Sequence, residues 1–101
     1  MITITMHRDK KHRYTGFTIS GHADYDEAGS DICAAVSALS QTALLGLMQY
    51  ASQDVPYEVN DGFLSVQVPK PCEASQIILG TMVAGLEQIV RQYGEYVVLD
   101  S

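Results

Sequence analysis

The 101-residue sequence predicts a two-layer α+β sandwich, in which two helices pack on one face of a largely antiparallel sheet. Three observations support this fold class: short stretches that alternate with period two, two longer stretches with helical spacing of apolar residues, and turn signals between them. The elements follow in the order ββα–ββα–β, which is a loose internal duplication. A chain of this length forms one domain, residues 1–101, with a single modest core.

The strands are predicted from alternation and β-branched residues. Residues 2–6 alternate and predict the first strand, and residues 14–20 predict a second strand that pairs with it across a turn at 7–13. Asn60-Asp61-Gly62 is a hairpin signal between two further strands. The remaining strands are predicted over the ranges 55–59, 63–68 and 96–99.

Two helices are predicted from apolar residues that recur at intervals of three and four. The first covers residues 31–51, and Ser30 or Asp31 is expected to cap its N-terminus through a side-chain oxygen. The second covers residues 72–93 and ends at Gly94. An acidic loop over residues 22–30 connects the second strand to the first helix.

Composition and charge limit the classes of function. A hydrophobic fraction of 47% and a charged fraction of 18% are typical of a globular chain, and a net charge of −6 argues against general nucleic-acid binding. The turn at 7–13 is an exception, because it holds four of the six basic residues. It is either a solvated turn or a contact for an acidic or RNA-rich partner. No direct nucleic-acid role is expected.

Two cysteines, Cys33 and Cys72, are too few for the disulfide framework of a small secreted domain. The N-terminus does not resemble a signal peptide, and no apolar run is expected to approach the length of a membrane span. These features predict a cytoplasmic protein with reduced thiols and no contact with a membrane.

The candidate catalytic residues flank the acidic loop. His22 follows a predicted strand, and Cys33 lies at the predicted helix start, where free amides and a partial positive charge favour a thiolate. The imidazole can accept the thiol proton, the amides can stabilise an oxyanion, and Asp31 can orient His22. Each residue also has a plainer interpretation: Cys33 as core packing, His22 as part of a strand end, and Asp31 as a helix cap.

Other sites are less consistent with the residues. Asp24, Asp26 and Gly29 match positions of a calcium loop, but Ala28 and Ala35 stand where two oxygen ligands are needed. A zinc site would need more closely spaced thiolates or imidazoles. We therefore predict no metal and no other cofactor. Cys72 is interpreted as structural. A non-catalytic binding module remains the alternative to an enzyme.

The segment from Gly21 to Ser37 resembles the ribosomal-processing cysteine protease family, Prp, of Firmicutes and related bacteria. The matching motifs are Gly21-His22-Ala23, Gly29-Ser30-Asp31-Ile32 and Cys33-Ala34-Ala35-Val36-Ser37, and the resemblance extends over the whole chain. The chain departs from the family pattern in having only Ile32, rather than two residues, between the aspartate and the cysteine.

The resemblance implies a cytoplasmic endopeptidase that removes a short N-terminal extension from a ribosomal large-subunit protein, with that precursor as its substrate partner. It implies Cys33 as nucleophile and His22 as its partner, with Asp31 and Ser37 in supporting positions. Ser37, four residues after Cys33, is expected on the same helix face, where it can reach the thiol or a substrate carbonyl. The resemblance also implies a homodimer. The alternative that it leaves is a non-catalytic ribosome-associated module of the same fold.

Overall fold

The fold was analysed in a computed structural model, which describes residues 1–22 and 27–101. Five strands and two helices follow in the predicted order ββα–ββα–β. Their bounds are β1 Ile2–Arg8, β2 Tyr14–Ser20, α1 Glu27–Tyr50, β3 Tyr57–Asn60, β4 Phe63–Gln67, α2 Glu73–Tyr93 and β5 Val97–Asp100.

The strands form one sheet in the order β3-β4-β2-β1-β5. Three of its four pairings are antiparallel, and the fourth joins β1 and β5 in parallel. The prediction of two helices on a largely antiparallel sheet is therefore confirmed. The parallel pair follows from topology, because α2 carries the chain back across the sheet before β5 begins.

The core lies between the helices and the face of the sheet that they cover. Alternate residues of the central strands point into it, so that Ile4, Phe17 and Val66 are fully buried. Leu47 of α1 and Leu79 of α2 meet them from the helix layer and are also fully buried. Two helices cover five strands incompletely, and strand β3 at the edge is exposed along its whole length.

Helix α1 is the main departure from the predicted elements. It begins at Glu27, so that Ser30 and Asp31 lie inside the helix and the prediction that either one caps it is wrong. Residues 27–30 of the predicted acidic loop are helical, and residues 23–26 lie outside the described part of the chain. The periodicity did not reveal this first turn because its sequence, Glu27-Ala28-Gly29-Ser30, has no large apolar residue.

Over Gly29–Tyr50, α1 also has the length and composition of a membrane span. The helix is not an uninterrupted apolar run, because Ser37, Ser40, Gln41 and Thr42 lie within it. Helices in the cores of proteins and membrane-spanning helices can both have this length and composition. In this fold α1 places Val36, Leu44 and Leu47 in the core, so packing against the sheet and α2 accounts for these apolar residues.

The basic turn between β1 and β2 uses part of its charge internally. Arg13 pairs with Asp9 at 2.8 Å, and hydrogen bonds from Arg13, led by its backbone N–H, lower the pKa of the Asp9 carboxyl. Arg8 donates to the carbonyl oxygen of His12, and its guanidinium lies 4.2 Å from the Tyr14 ring centroid. Lys10 and Lys11 remain exposed.

Candidate active site

A cavity of about 460 Å³ opens between helix α1 and the β3–β4 end of the sheet. His22, Cys33 and Ser37 all line it, so the structure brings three of the four predicted site residues together. Gln41 continues this polar row along α1, since Cys33, Ser37 and Gln41 are spaced four residues apart and share one helix face. Sequence reasoning missed Gln41, although its spacing from Ser37 was the available signal.

Cys33 is half-buried and lies in the second turn of α1 rather than at its start. The free N–H groups of a helix belong to its first four residues, which here are 27–30. The field of the helix terminus also decays within that turn. The prediction that Cys33 begins the helix is therefore wrong, and the Ser37 hydroxyl, one turn further along α1, becomes the candidate donor to an oxyanion.

His22 is held by backbone contacts between the end of β2 and the β3–β4 turn. The Gly21 N–H donates to the carbonyl of Gly62 at 2.9 Å, and the His22 carbonyl accepts from the Met1 amine at 2.7 Å. The imidazole lies against Gly62, so that a Cβ at that position would run into Nε2 of His22. These contacts hold the His22 backbone beside the cavity and limit the positions of its ring.

A carboxylate near His22 comes from Asp61, which sequence reasoning had treated only as part of a turn. Its Oδ1 lies 3.7 Å from Nε2 of His22, which is an ion-pair distance for a protonated imidazole rather than a hydrogen bond. Because the Asp61 side chain is fully exposed, solvent screens this pair, and its contribution is small. Asp61 can bias the ring orientation without locking it.

Asp31 was expected to orient His22, but the structure does not place it in this cavity. It lines a separate depression of about 280 Å³ with Ile89 and Tyr93 of α2. Because both residues belong to α1, the two-residue spacing from Asp31 to Cys33 separates them by about 200° around the helix. The shortened spacing noted in the sequence thus directs Asp31 away from Cys33.

Replacing Gly62 by alanine should damage the site and the fold together. Gly62 has φ of 68°, where an L side chain is strained, and its new Cβ would displace the His22 ring. We expect a loss of about 1–2 kcal/mol in the free energy of unfolding and a fall in kcat/KM of at least about tenfold. Thermal melting and peptide cleavage measure the two effects.

Gly80→Ala is the matched control for this substitution. Gly80 lies inside α2 with open space where a Cβ would go. Alanine should therefore stabilise the helix by about 0.5–1 kcal/mol and leave cleavage unchanged. Normal cleavage by Gly62→Ala would show that the turn does not position His22.

Cys72 occupies a different environment at the start of α2. It is the N-cap of that helix, and its sulfur accepts from the Ser75 N–H at 3.5 Å while its own N–H donates to Ser75 Oγ at 2.9 Å. These contacts form a capping box, which gives Cys72 a structural role. The hydrogen bond from the Ser75 backbone, and then that from its side chain, lower the pKa of the exposed Cys72 thiol.

Alkylation should therefore be fast at Cys72 as well as at any catalytic thiol. As pH falls, its alkylation rate should decline only below the range of an ordinary cysteine, because the lowered pKa keeps more thiolate present. Peptide mapping of iodoacetamide adducts across a pH series measures this rate. Cys72→Ser keeps a good cap and removes the adduct; a titration at the usual thiol pKa would contradict the expectation.

Across residues 1–22 and 27–101, no group of three or more His, Cys, Asp or Glu side chains is arranged to hold a metal ion. Asp24 and Asp26 of the candidate calcium loop lie outside the described residues. Both cysteines are thiols, with no disulfide between them. The structure places a thiol on a helix and an imidazole around one cavity. These are the reactive groups of a cysteine hydrolase.

Comparison with known proteins agrees with that class. The family model of the cysteine protease Prp matches residues 1–98. The ribosomal processing cysteine protease Prp of Staphylococcus aureus is 33% identical over 105 residues, which cover 99% of this chain and 98% of the relative. The chain therefore belongs to the Prp family and is a cysteine protease.

Two solved structures of S. aureus Prp extend the likeness to the fold. The complex with a covalently linked product peptide superposes with a TM-score of 0.88 at 28% identity, and covers 99% of this chain and 98% of the other. The complex with a substrate peptide gives a TM-score of 0.83 at 25% identity with the same coverage. The family resemblance inferred from the motifs is confirmed.

Proposed function

We propose that this protease removes a short N-terminal extension from a bacterial ribosomal large-subunit protein, using Cys33 as nucleophile and His22 as general base. The observation that carries the proposal is that both side chains line one cavity, although they come from different elements. The S. aureus relative is a ribosomal processing protease, and its complexes hold peptides. Both facts support a peptide of ribosomal origin as the substrate here.

The proposed reaction follows from the chemistry of a thiol and an imidazole. His22 takes the proton of the Cys33 thiol, and the sulfur attacks the scissile carbonyl carbon. The carbonyl oxygen becomes an anion, toward which Ser37 Oγ is the candidate donor. The C–N bond then breaks, and His22 returns the proton to the departing amine.

Release of the second product needs one water molecule. The acyl group is now held as a thioester on Cys33, and His22 accepts a proton from water as the water oxygen attacks the same carbonyl. The C–S bond breaks, the carboxylic acid leaves, and Cys33 regains its proton. Atoms balance as one peptide bond plus one water giving one acid and one amine.

Asp31 has no place in this scheme, since it lines the other depression. Asp61 is a carboxylate beside the His22 imidazole, and its full exposure limits what it adds to this scheme. Ser37 is proposed as a substrate contact, because its side chain is exposed in the cavity one turn after Cys33.

Location and assembly are also proposals. Reduced thiols and the processing of a ribosomal protein suit the cytoplasm. A homodimer is proposed because α1 and α2 expose apolar side chains outside the cavity lining, among them Met48, Tyr50 and Ile77. Sedimentation equilibrium at several concentrations tests this assembly, and a monomer throughout would contradict it.

The direct test of the function is incubation of the purified protein with candidate ribosomal precursor proteins, read by intact mass. We expect one precursor of the large subunit to lose a short N-terminal segment at a single bond. Cleavage of other proteins but no ribosomal precursor would contradict the proposed substrate while leaving the protease class intact.

A further inference from the structure

In the part of the chain that the structure describes, the outer edge of β3 carries unpaired backbone groups. Within the described residues β3 has a neighbour on one side only, strand β4. The Gln67 N–H donates to the Pro56 carbonyl, so these opposite residues form a hydrogen-bonded pair. Because hydrogen-bonded and non-hydrogen-bonded pairs alternate along an antiparallel ladder, Tyr57↔Val66 and Val59↔Leu64 are non-hydrogen-bonded pairs. The N–H and C=O groups of Tyr57 and Val59 therefore point outward, away from β4.

The side chains of the same two residues form an apolar strip beside the catalytic cavity. Opposite residues share a face of the sheet, and Val66 and Leu64 are buried on the face that the helices cover. Tyr57 and Val59 therefore lie on that face too, yet they are 54% and 58% exposed because no helix reaches the sheet edge. Leu45 of α1 faces the same cavity and is 56% exposed.

The strip runs directly into the site of chemistry. Val59 lines the cavity that holds Cys33 and His22, and the turn that follows β3 carries Gly62, against which the His22 ring lies. An extended chain hydrogen-bonded to the outer edge of β3 would therefore enter this cavity. Every second side chain of such a chain would point toward Val59 and Leu45.

We propose that the peptide substrate binds as an added strand along the outer edge of β3, with apolar side chains at alternate positions seated on Tyr57, Val59 and Leu45. This inference rests on the proposed function, since it concerns the substrate of that site. A protease that binds its substrate in this way recognises the substrate backbone and every second substrate side chain, rather than a single residue. Extended segments with apolar residues at every second position are the substrates that fit.

Val59→Pro tests the backbone part of the proposal. Proline removes the outward N–H of Val59 and leaves the bonds between β3 and β4 intact, which an edge strand tolerates. In a Cys72→Ser background, kcat/KM for a synthetic peptide spanning the cleaved junction should fall about tenfold, mainly through KM. Val59→Ala keeps the N–H and should lose less. Alkylation of Cys33 by iodoacetamide should not change in either variant, because that small probe does not need β3.

A second measurement keeps the proposal testable if Val59→Pro fails to fold. Junction peptides that carry a single N-methyl group at successive positions should lose cleavage at alternate positions, because only every second amide of an added strand faces β3. A flat or single-site profile overturns the proposal. So does a Val59→Pro protein that dissociates from dimer to monomer with unchanged kcat/KM, since the edge would then bind a second copy. If the unsubstituted protein cleaves no ribosomal junction peptide, the proposed function fails first, and the β3 edge has no substrate to hold.

Discussion

Replacing Cys33 by serine is expected to lower kcat for precursor cleavage by at least about 10⁴-fold. The change swaps one atom, so the fold and the cavity should persist. A hydroxyl is a far weaker nucleophile than a thiolate unless the surrounding groups are built to activate it. Single-turnover cleavage, read by intact mass under excess protein, measures the chemical step directly.

Cys72→Ser is the matched control, because it makes the same chemical change at the other thiol. Serine is a favoured N-cap, so α2 should keep its start and cleavage should stay at the level of the unsubstituted protein. Cleavage by Cys33→Ser within tenfold of the unsubstituted rate would remove Cys33 from the mechanism. Loss of cleavage in Cys72→Ser instead would place the nucleophile at the start of α2 rather than on α1.

Replacing His22 by alanine is expected to lower kcat by about 10²–10⁴-fold, the usual contribution of a positioned general base. The substitution also empties the space that the ring occupies against Gly62. Free imidazole added to the solution can enter such a space, and we expect it to restore part of the lost rate. A merely structural role for His22 would give no such recovery.

His7→Ala serves as the control for the loss of His22. His7 is exposed and bonds through Nε2 to Thr18 Oγ1 at 2.8 Å, and it is not part of the cavity lining. Its replacement should leave cleavage unchanged with and without imidazole. An imidazole effect of equal size in both variants would mean that the added base acts on the reaction without using the vacated position.

The order of the elements was predictable because each has a strong local signal. Alternation marks β1 and β2, and helical spacing marks α2 almost to its ends. Strand β3 shifted from the predicted 55–59 to Tyr57–Asn60, which is the usual uncertainty of an element boundary. The start of α1 was not predictable from periodicity, since residues 27–30 contribute little to the apolar stripe that defines the helix.

The sequence predicted that His22, Cys33 and Ser37 lie close together, but it did not predict the contacts that hold His22. His22 and Cys33 were found through motif spacing, and the row that continues through Ser37 follows from helix geometry. The contacts of His22 with Asp61 and Gly62 depend on the pairing of Ser20 with Phe63, which joins distant parts of the chain. No local pattern specifies that register, so the turn was recognised only as a turn.

That same pairing of β2 with β4 has a consequence for an emerging polypeptide. Cys33, the proposed nucleophile, and His22 are both synthesised early, but the turn that holds Gly62 against the imidazole follows later in the chain. Until that turn has been synthesised and β4 has paired with β2, the nascent chain contains Cys33 and His22, but the contact of the imidazole with Gly62 has not formed. The contact that positions the imidazole can therefore form only after the chain has been synthesised beyond residue 62.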